Sequence, residues 1–169
     1  MGDFQALTSG PKHHFFGYYG VNVWNPTMRY HLSLETDFAW RDTKHIMIST
    51  DLSGQMQFLE FVDRDRTFEP FGHGAFPSSG HNAFSPDRQW VVCDSSPQEI
   101  ERMSELMLYH IPEGKKYTLG QVHSPAIYTR DIRCDLHPRW SPDGKAVTFD
   151  SVHGGTRQVY LADVSDIVG

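Results

Sequence analysis

His137-Pro138-Arg139-Trp140-Ser141-Pro142-Asp143-Gly144-Lys145-Ala146-Val147-Thr148-Phe149-Asp150-Ser151 is the stretch that decides the fold, because it occurs twice. Without a gap it lies over His81-Asn82-Ala83-Phe84-Ser85-Pro86-Asp87-Arg88-Gln89-Trp90-Val91-Val92-Cys93-Asp94-Ser95, 56 positions earlier. The two share the leading His, an aromatic residue, Ser-Pro-Asp and the closing Asp-Ser. A weaker third copy runs from Val23 to Glu35 around Asn25-Pro26. In Ser141-Pro142-Asp143-Gly144, proline presets φ, Asp bonds back to the backbone, and Gly accepts the left-handed conformation that returns the chain to a ladder. Each copy therefore reads as strand, tight turn, strand. The strands after the turns, Trp90 to Cys93 and Ala146 to Phe149, are expected to be buried on both faces or nearly so.

Outward from this pair, further strands are predicted at His45 to Thr50, Met56 to Val62, Thr67 to Phe71, Leu106 to His110, Lys116 to Leu119 and Gln158 to Ala162. A short helical turn is predicted over Pro97 to Met103. The 24 Gly and Pro residues fall between these segments as turn punctuation. Short antiparallel strands recurring every ~40–60 residues mark the blades of a propeller, and a β-sandwich would not explain the repeated hairpin. The expected fold is all-β: an incomplete, propeller-like array of three to four antiparallel four-stranded blades in one domain over 1–169. The blade-like repeats lie near 19–38, 40–72, 80–121 and 136–169.

Composition limits the function classes. The 169 residues carry 15 Lys+Arg against 21 Asp+Glu, a net charge of −6. That balance argues against a nucleic-acid partner, whose phosphates need a concentrated basic surface. The 22 Phe, Trp and Tyr residues supply apolar area for a core and exclude a disordered chain. No apolar run is long enough to span a membrane, and the N-terminus lacks the basic flank and apolar stretch of a signal peptide, so the expectation is a cytoplasmic chain with no membrane partner. Two cysteines, Cys93 and Cys134, do not make a disulfide framework; they read as reduced thiols or metal ligands.

The residues also carry a resemblance. Ser-Pro-Asp-Gly-Lys followed by an apolar strand, Asp-Ser and the strand Gln158 to Val164 resembles the propeller repeat of TolB-like proteins. Lys12-His13-His14-Phe15-Phe16-Gly17-Tyr18-Tyr19, Leu34-Glu35-Thr36-Asp37-Phe38, Gly80-His81 and Arg133-Cys134-Asp135-Leu136-His137-Pro138-Arg139-Trp140-Ser141 resemble the propellers of oligogalacturonate lyases and ulvan lyases. Those propellers are seven-bladed rings, so the resemblance implies a shortened array with middle blades absent between Phe38 and Trp40. Its blades either close around a smaller axis or leave an open arc whose sheet edges invite a second copy of the chain.

The activity the resemblance implies is β-elimination on acidic, uronate-containing oligosaccharides, with turnover expected to be impaired by the missing blades. A base removes the C5 proton, the neighbouring carboxylate is neutralised, and the leaving oxygen is protonated. His13, His14, Tyr18 and Tyr19 are the candidate proton-transfer groups. Arg133 and Arg139 are the candidate carboxylate clamps. His81, Cys134 and His137 are the candidate ligands of a divalent metal, zinc or manganese, with Asp94, Asp150 or His153 as a fourth. The plainer reading of His81 and His137 is hydrogen bonding across blades, and of Cys134 a small buried apolar group. Asp94-Ser95 and Asp150-Ser151 recur at matching strand ends and read as ties between blades. The alternative function is a propeller scaffold that binds carbohydrate or protein without catalysis.

Overall fold

The computed structural model describes residues 38–52, 55–65, 67–76, 80–97, 100–129 and 132–169. They form three antiparallel sheets in chain order. The first contains β1 (Phe38–Trp40), β2 (His45–Leu52), β3 (Gln55–Val62) and β4 (Phe68–Pro70). A short 3-10 turn, Gly72–Gly74, leads out of it. In the second are β5 (Asn82–Phe84), β6 (Trp90–Asp94), β7 (Met103–His110) and β8 (Lys115–His123). The third holds β9 (Arg139–Trp140), β10 (Ala146–Ser151) and β11 (Gln158–Asp163), followed by a single helical turn, α1 (Ser165–Val168). Every strand pairs with its sequence neighbour, which is the up-and-down connectivity of propeller blades. The fold is all-β, an incomplete propeller-like array. Among the described residues, no helix is long and apolar enough to cross a membrane.

The repeated hairpins share one turn, the first copy adding a bond from the Ser85 hydroxyl to the Trp90 carbonyl at 3.2 Å. Ser85 N–H donates to the Trp90 carbonyl at 2.9 Å, and Ser141 N–H to the Ala146 carbonyl at 2.8 Å. The Ser85 and Ser141 hydroxyls each donate to the Asp two residues on, at 2.5 Å, and each accepts the N–H that reopens the ladder, from Trp90 at 3.0 Å and Ala146 at 2.9 Å. Pro86 and Pro142 thus occupy equivalent places. The fourth turn position is left-handed in both copies, φ 63° at Arg88 and 73° at Gly144. Only the second copy has the residue type that adopts this conformation without a Cβ penalty. Pro26 and the third copy of the motif lie outside the described residues.

Strand alternation builds two cores. Ala39, Met47 and Phe58 of the first sheet pack on Phe84, Val91, Cys93, Met107 and Tyr109 of the second. The opposite face of the second sheet, with Trp90, Val92, Leu106 and Leu108, packs on Leu136, Val147 and Val164 of the third unit. β6 is buried at all five positions, sandwiched between neighbours. β10 departs from the sequence expectation: Val147 is buried, but Ala146, Thr148 and Phe149 are only partly so, because just one of its faces is covered. The region read as a helical turn is different too. Ile100 and Glu101 form an exposed turn, Ile100 being 94% accessible, and Met103 already opens β7.

Sheets are also tied by polar contacts. Trp140 Nε1–H donates to the Ala83 carbonyl at 3.0 Å, and Arg88 Nη1 to the Trp40 carbonyl at 3.5 Å.

Candidate metal centre

Gly80-His81 enters β5, and Cys134 to Pro138 enters β9, so the two segments reach the same end of adjacent sheets. Gly80 is required there. A Cβ on it would sit 1.8 Å from the Asp94 carbonyl oxygen, so only glycine lets the chain pass this close to β6. The His81 and His137 rings meet with centroids 4.0 Å apart. Asp135 joins them: one donor atom from each of His81, Asp135 and His137 falls within 4.8 Å of the other two.

Cys134 is not in this cluster. It is 2% exposed, and its Sγ contacts the Asp135 carbonyl at 4.0 Å. Burial pushes its thiol pKa up, so the nucleophilic, metal-binding thiolate is disfavoured. Cys134 and Leu136 are both 2% exposed, Leu136 in the core between the second and third sheets, while the Asp135 carboxylate reaches the two histidines. The signal for Asp135 in the sequence is only that it is a carboxylate two residues before His137.

The candidate fourth ligands fall elsewhere. Asp94 is 1% exposed, and its carboxylate is engaged by both histidine segments. The His81 N–H donates to Oδ1 at 2.6 Å, the His137 N–H to Oδ2 at 3.0 Å, and His81 Nδ1 lies 3.2 and 3.1 Å from the two oxygens. It ties the second sheet to the third, as read for Asp94-Ser95; Asp150, read the same way, shows no such tie among the described residues. Asp150 pairs with Arg157 at 3.1 Å. His153 Nδ1 bonds the Ser151 hydroxyl at 2.8 Å, and its ring packs on Tyr160.

Both candidate clamps stand beside the cluster. Arg133 holds Asp135 Oδ2 through Nε at 2.8 Å and Nη2 at 2.6 Å, while 54% of its side chain stays exposed. Arg139 Nη1 donates to the His137 carbonyl at 3.1 Å. His13, His14, Tyr18 and Tyr19 lie outside the described residues.

Two imidazoles and a carboxylate fit a divalent cation and leave coordination positions open. Asp135 Oδ1 is buried and has no hydrogen-bond partner among the described residues, a polar atom that a bound cation would satisfy. Burial, with the adjacent His81 adding to it, lowers the His137 pKa. The neutral, ligating form is therefore favoured to lower pH than in an ordinary histidine.

Compared with known proteins, the chain matches no family model and no curated protein. Solved structures do resemble it. TolB from Acinetobacter baumannii aligns over 78% of this chain at 24% identity and a TM-score of 0.56. An oligogalacturonate lyase in complex with manganese aligns over 76% at 20% identity and 0.61. A putative TolB from Agrobacterium tumefaciens aligns over 85% at 17% identity and 0.59. The aligned parts span 31%, 35% and 57% of those three structures, so the chain corresponds to only a portion of each. By fold, the chain is a partial β-propeller of the kind seen in TolB and oligogalacturonate lyase.

Proposed function

We propose that this chain is a polysaccharide-lyase-like propeller that acts on uronate-containing oligosaccharides by β-elimination, with His81, Asp135 and His137 holding a divalent cation. The observation that carries the reading is the cluster of these three side chains with Arg133 at its rim. A similar structure is an oligogalacturonate lyase in complex with manganese, which supports the metal and the substrate class together. With a carboxylate in place of a thiolate, the donor set leans toward manganese rather than a thiolate-rich zinc site.

The cation, when bound, neutralises the uronate carboxylate and so acidifies the C5 proton. The chain's own residues do the rest. Arg133 keeps half its surface in solvent and can share its guanidinium between Asp135 and a sugar carboxylate, as the planar fork permits. Elimination then transfers the C5–H proton to a base, uses that electron pair to form the C4=C5 double bond, and expels the C4 oxygen, which takes a proton. His13, His14, Tyr18 and Tyr19 remain the candidates for those proton transfers.

The test is a titration of metal-stripped protein with Mn²⁺, followed by incubation with oligogalacturonate and ulvan fragments while ultraviolet absorbance of the unsaturated product is recorded. Binding of Mn²⁺ that is lost in Asp135→Asn, with metal-dependent absorbance growth, is the expected result. Metal binding without product would leave a binding scaffold; no metal binding would remove the reading.

A further inference from the structure

Asp94 makes no appearance in the elimination, yet it is the most deeply buried carboxylate in the region and touches both histidine segments at once. Four polar contacts converge on it: the His81 N–H, His81 Nδ1 twice, and the His137 N–H. The last crosses from one sheet to the next, 43 residues along the chain. His137 supplies it from a left-handed backbone, φ 43°, a conformation that costs a non-glycine residue energy and has to be held in place.

We infer that Asp94 is the positioning residue of the cluster: it holds His81 as the tautomer protonated at Nδ1, which leaves Nε2 as the ligating atom, and it fixes His137 against His81 through the backbone. This rests on the metal reading above and deepens it. An ionised carboxylate only accepts hydrogen bonds, so a ring nitrogen bonded to it carries the proton and the other ring nitrogen keeps its lone pair. Carboxylates behind ligating histidines act this way in metal sites generally, and losing one typically costs ~10–100-fold in metal affinity.

The equivalent Asp150 is the internal control. It stands at the same place in the third sheet but pairs with Arg157 instead, so it takes no part in aiming a ligand.

The experiment uses the whole chain. Long-range ¹H–¹⁵N spectra of the metal-free protein report the tautomer of each imidazole, and Mn²⁺ titration reports affinity. Expected is His81 protonated at Nδ1 in the wild type, loss of that preference in Asp94→Asn, and ~10–100-fold weaker Mn²⁺ binding there. Asp94→Glu, which keeps a carboxylate, should recover part of the affinity, and Asp150→Asn should leave the His81 tautomer unchanged. A wild-type His81 protonated at Nε2 would overturn the inference, and that measurement needs no variant to fold. So would unchanged Mn²⁺ affinity in Asp94→Asn. Absence of Mn²⁺ binding in a wild type with Nδ1-protonated His81 would refute the metal reading while upholding the part of Asp94 in aiming His81.

Discussion

The second and third sheets are built from the same fifteen-residue motif, and they agree at one end and part at the other. At the Ser-Pro-Asp turn the backbone bonds, the Ser-to-Asp bond and the N–H that the Ser hydroxyl accepts all repeat. At the Asp-Ser end the ladder slips by one residue: Asp94 N–H bonds the His81 carbonyl, whereas Asp150 N–H bonds the Leu136 carbonyl, one place before His137. The slip leaves His137 out of the ladder of its own sheet, in a left-handed conformation, with its N–H turned to Asp94 next door. Gly80 and Leu136 mark the same divergence. The first must be glycine to pass the Asp94 carbonyl, while the second fills the core. Repetition makes the fold, and the break in repetition brings His81, Asp135 and His137 together. A cation held by His81 from one sheet and by Asp135 and His137 from the next would bridge the two, so binding would also tighten their packing.

The largest effect that separates the two sheets concerns the outer strands. Leu108 of β7 is fully buried against the third unit; Leu161 holds the corresponding place in β11 and is 67% exposed. Leu108→Ala should cost ~2–5 kcal/mol, the range for a buried leucine, and Leu161→Ala within about 0.5 kcal/mol of nothing. Urea unfolding of both variants checks it. Similar losses would mean that the face bearing Leu161 is covered in solution.

A smaller effect divides the two turns. Gly144→Ala places a Cβ on a residue at φ 73°, which should cost ~1–2 kcal/mol. Arg88→Gly relieves the same conformation in the other copy but loosens the unfolded chain and gives up the contact to the Trp40 carbonyl. Its net change should lie within about 1 kcal/mol. Thermal unfolding of the pair decides whether the turns are energetically alike as well as geometrically alike.

The sequence carried the repeated end almost completely. Serine, proline and aspartate at fixed offsets specify one turn, and the strands at His45, Met56, Leu106 and Gln158 were all legible from β-branched and aromatic runs between Gly and Pro. His81 and His137 were legible as a pair because each leads its copy of the motif. What could not be read was the slipped register, which depends on packing between sheets and has no local signature. Without it, Cys134, three residues from His137, reads as the ligand, and Asp135 goes unread. Asp94 looked like a spare ligand because its carboxylate is indistinguishable in sequence from that of Asp150. The exposure of Ile100 has a similar origin: Ile100 and Met103 carry a helical spacing, but pairing with His123 of β8 takes Met103 into a strand.

The smallest expected effect is a pH dependence at the shared turn. Asp143 is held below its ordinary pKa first by the Ser141 hydroxyl and then by the Lys145 N–H, both of which donate to its carboxylate. A carboxylate whose pKa is lower folded than unfolded stabilises the fold while it is ionised in both states. That contribution is whole above the ordinary Asp value near 3.8 and drains away as pH falls through the lower folded value. Replacing Asp143 by Asn keeps an acceptor for the Lys145 N–H but removes the charge. The wild type should therefore be the more stable of the two at pH 6, and the gap should narrow steadily as the buffer is taken from pH 4 toward pH 2. Urea midpoints for the two proteins across that range measure it, since most other titrating groups are common to both and cancel in the difference. A gap that stays constant down to pH 2 would mean that the turn gains nothing from the charge of Asp143, and that its shape comes from Pro142 and Gly144 alone.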